Sequence, residues 1–290
     1  MASLKDVRGK ISGVGKTKQI TKAMNMVASA KLRGAQTRME KFHAYASRFH
    51  DVFQNLAASD MELSHPLLAP HEEIKKIGII LVTSDRGLAG AFNGNIIAEA
   101  LALANQKRDE GKEVVFYCVG KKGRDAVRKS PYAITRDMAG EMTSFEFSLA
   151  AKIGLEVISG YSANELDEVY LVYSEFRGLM RQTPTRQRIL PIEQKVHEEA
   201  APQTRTEYTF EPAGQALMDA LLPRIVKALI YRGLLNTSTS EHAARMTAMD
   251  NATRNCDDLI RSLTRLFNKT RQAVITSELI DIVGGVEALK

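Results

Sequence analysis

Two stretches at opposite ends of the chain repeat apolar residues at alternating steps of three and four. A chain built this way must bury two long helical stripes. From Leu4 the steps land on Val7, Ile11, Val14, Lys18, Thr21, Asn25, Ala28, Leu32, Ala35, Met39, Phe42, Ala46, Phe49, Phe53 and Leu56. A repeat held over several heptads predicts a coiled-coil helix rather than a short globular one. Lys18, Thr21 and Asn25 interrupt the stripe, and there Ile20, Met24 and Val27 are expected to carry the apolar face one position aside. No proline occurs before Pro66, so one helix is predicted over residues 3–57, roughly 80 Å long. Near the other end a seam runs through Met249, Ala252, Cys256, Leu259, Leu263, Leu266, Thr270 and Ala273. That helical pattern extends from Gln215 to Val283, with Pro223 near its start and Gly284-Gly285 as a stop signal. Each stripe can cover the other, which predicts an antiparallel pair with the rest of the chain inserted between the two helices.

The inserted part has a different rhythm. Residues 76–83 (KIGIILVT), 113–119 (EVVFYCV) and 168–174 (EVYLVYS) are short apolar runs of the kind that form buried parallel strands. Helical stretches lie between them, at 95–108, 123–129 and 145–161, and 188–191 reads as extended. Strands alternating with helices predict a small, parallel α/β domain. The polar segment 197–206 reads as a linker or exposed loop. The expected division is a coiled-coil helix at 1–60, an α/β domain at 75–195 and a second coiled-coil helix at 212–290.

Charge is unevenly placed. Between Lys5 and Arg48, lysines and arginines are opposed by Asp6 and Glu40 alone, in a chain of net charge +6. Such a segment is either a solvated helix face or a surface for an acidic partner: protein, anionic membrane or nucleic acid. A coiled-coil nucleic-acid-binding protein is therefore one alternative. Against it, the stripe commits one helix face to a helical partner, and no helix-turn-helix, zinc-finger or RNA-recognition pattern follows. No run of about 18 apolar residues occurs, so no membrane-spanning helix is expected. Cys118 and Cys256 have neither disulfide-framework nor metal spacing. The first residues lack a signal-peptide h-region, and no long transit peptide is expected.

Candidate chemistry is sparse. Gly15-Lys16-Thr17 invites a phosphate-loop reading, but the glycine needed five residues earlier is Lys10, and the motif lies inside a heptad helix. Ser84–Asn93 (SDRGLAGAFN) follows the first strand, where doubly wound sheets bind phosphates, without matching a dinucleotide fingerprint. Its glycines read better as turn formers. His43 and His50 share a heptad position, but no carboxylate or thiolate accompanies them as a metal ligand. These readings predict no catalytic residue, no cofactor and no metal.

Longer segments carry a resemblance. Residues 20–32 (ITKAMNMVASAKL), 82–93 (VTSDRGLAGAFN), 240–246 (SEHAARM), 250–255 (DNATRN) and 268–285 (NKTRQAVITSELIDIVGG) resemble, in order and over essentially the whole chain, the gamma subunits of F-type ATP synthases. Where Ala89 and Val286 stand, that family usually has cysteine and alanine, and Gly9, Gly13 and Gly15 replace more helix-favouring residues. The chloroplast cysteine pair is absent. With the missing transit peptide, this implies a bacterial enzyme at the cytoplasmic face of the plasma (inner) membrane. The resemblance implies an antiparallel pair of long N- and C-terminal helices flanking a small Rossmann-like α/β domain. It further implies a non-catalytic rotor shaft, one copy per complex. The expected partners are the ring of three alpha and three beta subunits, the epsilon subunit and the c-ring, with no nucleic acid. Carried over by position, Arg271 and Gln272, with Thr276 and Glu278 a turn further on, would meet the beta-subunit catch loops. Lys22, Met24 and Met26 would lie where side chains influence coupling.

Overall fold

The computed structural model describes residues 3–57, 65–141, 146–192 and 214–287. The predicted linker at 197–206 lies outside the described residues. The elements follow in the order α1 (Leu4–Ala57), β1 (Lys76–Val82), α2 (Phe92–Asp109), β2 (Glu113–Val119), α3 (Lys121–Val127), β3 (Ala133–Met138), α4 (Phe147–Ser162), β4 (Glu168–Gly178), β5 (Arg181–Leu190) and α5 (Gly214–Glu287). Two compact units result: residues 1–29 with 245–290, and residues 30–244.

The smaller unit is the helix pair. Three cross-helix polar contacts fix its direction: Lys18 Nζ to Asp257 Oδ1 at 2.5 Å, Thr21 to Thr253 at 2.8 Å, and Asn25 to the Met246 carbonyl at 2.8 Å. Numbers rise on α1 as they fall on α5, so the helices run antiparallel. On α1 the strict stripe survives intact: Leu4, Val7, Ile11, Val14, Lys18, Thr21, Asn25 and Ala28 are each buried or half-buried. Of the residues expected to carry the apolar face sideways, only Met24 is half-buried. Ile20 and Val27 lie outside, 60% and 57% exposed, and Thr21 takes the buried place. The polar seam residues find partners on α5, which removes the desolvation penalty that would have pushed them out. On α5 the predicted seam holds at Met249, Ala252, Cys256, Leu263 and Thr270 and fails at Leu259, Leu266 and Ala273. Thr253, Ile260 and Phe267 are half-buried beside Met249, Cys256, Leu263 and Thr270, while Leu259 and Leu266 face outward. Both choices keep a 3–4 step, so spacing alone did not distinguish them. Gly284-Gly285 does not stop α5, which continues to Glu287. An added Cβ at Gly9, Gly13 or Gly15 would meet nothing within 4 Å.

The larger unit is a three-layer α/β/α sandwich. Its sheet has the order β3-β2-β1-β4-β5, with β1 to β4 parallel and β5 antiparallel beside β4. β1 alternates between two cores. Ile77, Ile79 and Leu81 pack with Phe92, Ile96 and Leu103 of α2 and Val127 of α3, whereas Ile80 and Val82 share the other core with Ile153 and Val157 of α4 and Met218, Leu222, Val226, Ile230 and Leu234 of α5. Burial on both faces is why the central strands read as unbroken apolar runs. Strand β3 and most of β5 were not predicted. Both are sheet edges with polar outward residues, and Pro184 sits within β5, so neither shows an apolar run.

The chain entering β1 is clamped to the base of β4. Asp167 Oδ2 accepts the N–H groups of Lys75 and Lys76, both at 2.8 Å, and Oδ1 lies 2.8 Å from His71 Nδ1. The His71 ring stacks on Tyr161, whose hydroxyl donates to the Ala69 carbonyl. Burial alone would push the Asp167 carboxyl up. The hydrogen bonds from His71, Lys76 and Lys75 overcome that and hold it below the usual carboxylate value. A depressed folded pKa contributes stability above the unfolded value of about 3.9 and loses it as pH falls through the folded pKa. Asp167→Asn is expected to lower the unfolding free energy at pH 7 by about 1.5–3 kcal/mol. In urea titrations of the purified chain, the gap to wild type should narrow below about pH 4.

Candidate functional site

The sequence-predicted contact residues fall in two places on the helix pair. Lys22 and Met26 are exposed on α1, and Met24 is half-buried beside them. Arg271, Gln272, Thr276 and Glu278 are exposed on α5. The antiparallel register sets Lys22 opposite the turn around Thr253, so the two groups lie about 18 residues of helix apart, roughly 27 Å. They are two stations along one rod rather than one site. Met26 stands 61% exposed between Ile20 and Val27, so the outer face of α1 is apolar there while its inner face is polar.

From Arg271 to Val286 every residue of α5 is exposed. The segment is not polar: Val274, Ile275, Leu279, Ile280, Ile282, Val283 and Val286 stand in solvent on several sides of the helix. An exposed apolar surface of this extent marks a contact site for a partner chain. The register shows why α1 is not that partner, because counting from the Thr21–Thr253 contact places Arg271 level with the first residues of the chain. Arg271 and Glu278 bring charge of both signs into this collar. Sequence reasoning singled out the polar members of the collar and passed over the apolar ones. The apolar residues continuing past Thr270 as far as Val286 were the available signal.

The other candidates resolve differently. Gly15-Lys16-Thr17 lies in mid-helix, with the Thr17 hydroxyl bonded to the Gly13 carbonyl, and forms no loop. The Ser84–Asn93 turn is tied to itself and its neighbours. Asn93 Oδ1 accepts the Ser84 N–H at 3.0 Å, and Asp85 Oδ1 accepts the N–H groups of Lys121 and Gly140 at 2.9 and 2.8 Å. A carboxylate of the same chain thus accepts a backbone N–H at the start of α3, a position where helix N-termini attract anions. Gly120 has φ 96°, and a Cβ there would stand 2.2 Å from the Thr83 carbonyl oxygen, so the β1 and β2 loops approach more closely than any side chain allows. His43 is exposed, and the His50 side chain lies outside the described residues. Among the described residues no three His, Cys, Asp or Glu side chains are grouped to hold a metal. Burial pushes the Cys118 thiol up to about 12, which makes it unreactive at neutral pH. No helix among the described residues is long and apolar enough to cross a membrane.

Fold and collar together define a coiled-coil protein with an α/β unit whose helical tip is built to be enclosed. A family model described as ATP synthase matches residues 3–289. The ATP synthase gamma chain of Nitratidesulfovibrio vulgaris strain Miyazaki F is 61% identical over 292 residues, covering all of both chains. The rotor of the Euglena gracilis mitochondrial ATP synthase shares the fold, with a TM-score of 0.65 at 22% identity over 94% of this chain and 98% of its own. The central stalk and c-ring structure of the Tetrahymena thermophila mitochondrial ATP synthase contains a similar chain, with a TM-score of 0.62 at 25% identity over 80% of this chain and 99% of its own. The chain belongs to the ATP synthase gamma-chain family.

The Thr21–Thr253 contact is open to a direct test. Each hydroxyl also approaches a carbonyl of its own helix, Lys18 or Met249, so two hydrogens serve three contacts and the pair acts as a unit. Thr21→Val and Thr253→Val should each destabilise the chain by about 0.5–1.5 kcal/mol, and the double variant by less than the sum. A double-mutant cycle by urea unfolding measures this. A coupling within error of zero would show that the two threonines do not depend on each other.

Proposed function

We propose that this chain is the central rotor shaft of a bacterial F-type ATP synthase, and that it works by contact rather than by chemistry of its own. Segments 1–60 and 212–290 form the shaft, and segment 75–195 forms the head that receives rotation. The c-ring drives the head, with the epsilon subunit beside it, and the shaft tip turns inside the ring of three alpha and three beta subunits. One copy serves each complex, at the cytoplasmic face of the inner membrane. A single asymmetric rod inside a three-fold ring offers each beta subunit a different face at any instant. It thereby biases three otherwise equal catalytic sites toward different conformations, and rotation passes each site through all of them. Coupling of this kind needs differential contact with alternative states and no catalytic group.

The observation that carries this reading is the collar from Arg271 to Val286, exposed throughout and apolar on several sides. An apolar sleeve around it would bury the collar while letting it turn, since apolar contact has no preferred direction. Polar members of the collar then supply the angular preference. Arg271 and Gln272 would engage the beta-subunit catch loops, with Thr276 and Glu278 one turn on. Lys22, Met24 and Met26 form a second station on α1, where a basic side chain among apolar ones suits an acidic loop.

Arg271 is the residue to test. Its guanidinium can bind a carboxylate in two-pronged fashion that lysine does not reproduce. A partly desolvated contact of that kind is worth about 1.5–3 kcal/mol, against less than about 1 kcal/mol for a solvated arginine. Arg271→Ala in the reconstituted complex is expected to weaken assembly or to lower ATP-driven proton pumping more than ATP hydrolysis. Wild-type assembly, hydrolysis and pumping together would reduce Arg271 to a surface residue.

A further inference from the structure

Helix α5 changes character where it crosses the sheet. Met218, Leu222, Val226, Ile230 and Leu234 are fully buried and apolar, yet Thr237, Ser238, Thr239 and Ser240, which follow at once, are equally buried and polar. The reason lies in β4. Strand β1 pairs with β4 only as far as Val172. Beyond it, no strand among the described residues pairs with that side of β4, and in the antiparallel ladder with β5 alternate residues such as Ser174 and Phe176 turn their backbone groups to the same side. The Ser174 and Phe176 backbone groups are therefore left to be satisfied from elsewhere. Side chains of α5 take the missing strand's place. Thr237 Oγ1 accepts the Ser174 N–H at 3.3 Å, the Ser240 hydroxyl donates to the Ser174 carbonyl at 3.3 Å, and Asn236 Oδ1 accepts the Phe176 N–H at 3.2 Å. One turn earlier, Arg232 donates to Gln187 of β5 at 2.9 Å, and Gly233 allows close approach, since a Cβ there would stand 2.7 Å from Leu171 Cδ2.

We propose that Asn236, Thr237 and Ser240 are the positioning residues through which the sheet grips α5 against rotation about its own axis. The proposal rests on the rotor reading. Apolar packing is non-directional and sets the angle of a helix about its axis less sharply than a hydrogen bond does. Hydrogen bonds to a strand edge are tied to distance and angle, and they are lost when the helix turns. A torque applied to the α/β unit then reaches α5 through this surrogate strand, and α5 carries it onward by covalent continuity.

The test uses the assembled complex reconstituted in vesicles. It compares wild type, the Asn236→Leu/Thr237→Val double variant, Thr237→Val, Thr237→Ser and Ser240→Ala. Readouts are protons pumped per ATP hydrolysed and the angular fluctuation of a probe fixed to the α/β unit while the shaft tip is held in the ring. The double variant is expected to hydrolyse ATP near the wild-type rate, with protons per ATP reduced, and angular fluctuation increased, at least about two-fold. Thr237→Val should shift both in the same direction, and Thr237→Ser, which keeps the hydroxyl, should restore them. Unchanged pumping per ATP and unchanged fluctuation in the assembled variants would overturn the proposal. So would hydrolysis and pumping falling together with assembly, without rescue by serine. Should the double variant fail to assemble, Ser240→Ala, which removes one donor, decides by the same criteria. A wild-type chain that neither joins the complex nor rotates would instead overturn the rotor reading, and this proposal with it.

Discussion

Everything in this protein depends on one helix serving two unlike partners. Over residues 218–244, α5 covers one face of a β-sheet, and from 245 to about 270 it pairs with α1 at heptad spacing. The first task calls for a wide stripe and close approach, met by Met218 to Leu234 and by Gly233. The second calls for a narrow seam, met by Met249, Cys256, Ile260, Leu263 and Phe267. Neither task tolerates a break between them, because the backbone hydrogen-bond ladder must run through. The change of partner is therefore made by side chains alone, in the polar segment from Asn236 to His242.

Polar residues at buried positions recur, and in each place they do what apolar residues do not. In the helix pair, Lys18, Thr21 and Asn25 meet Asp257, Thr253 and the Met246 carbonyl, and these contacts are satisfied at one register only. A uniformly apolar seam of the same length would permit sliding by a heptad, so the polar contacts cost some stability and fix alignment. At the sheet edge, Asn236, Thr237 and Ser240 fix the angular setting of α5. Around Ser84–Asn93 the same economy is turned inward, with Asp85 joining the loops that follow β1, β2 and β3.

The tip of α5 follows the opposite rule. From Arg271 onward apolar side chains stand in solvent, and the stabilisation that would come from burying them is left for other chains to supply. An isolated chain with this tip carries a patch prone to association, which fits a subunit of a larger assembly better than a free protein.

The sequence by itself determined the two long helices, the buried central strands and the family. Each is written in local periodicity or in long ordered motifs that do not depend on what packs against what. It also placed Arg271, Gln272, Thr276 and Glu278 on one helix and Lys22, Met24 and Met26 on the other. Which face of each helix turns inward was decided only by the tertiary structure. Ile20 against Thr21, and Leu259 against Ile260, are equivalent on the 3–4 rule, and the choice fell to the partners available across the seam. Strand β3 and most of β5 were likewise invisible, because an edge strand owes its shape to its neighbour's hydrogen bonds and not to an apolar run of its own. The role of Asn236, Thr237 and Ser240 was hidden for the same reason. Three polar residues on a helix say nothing until a strand edge, left by β1 beyond Val172, gives them something to bind.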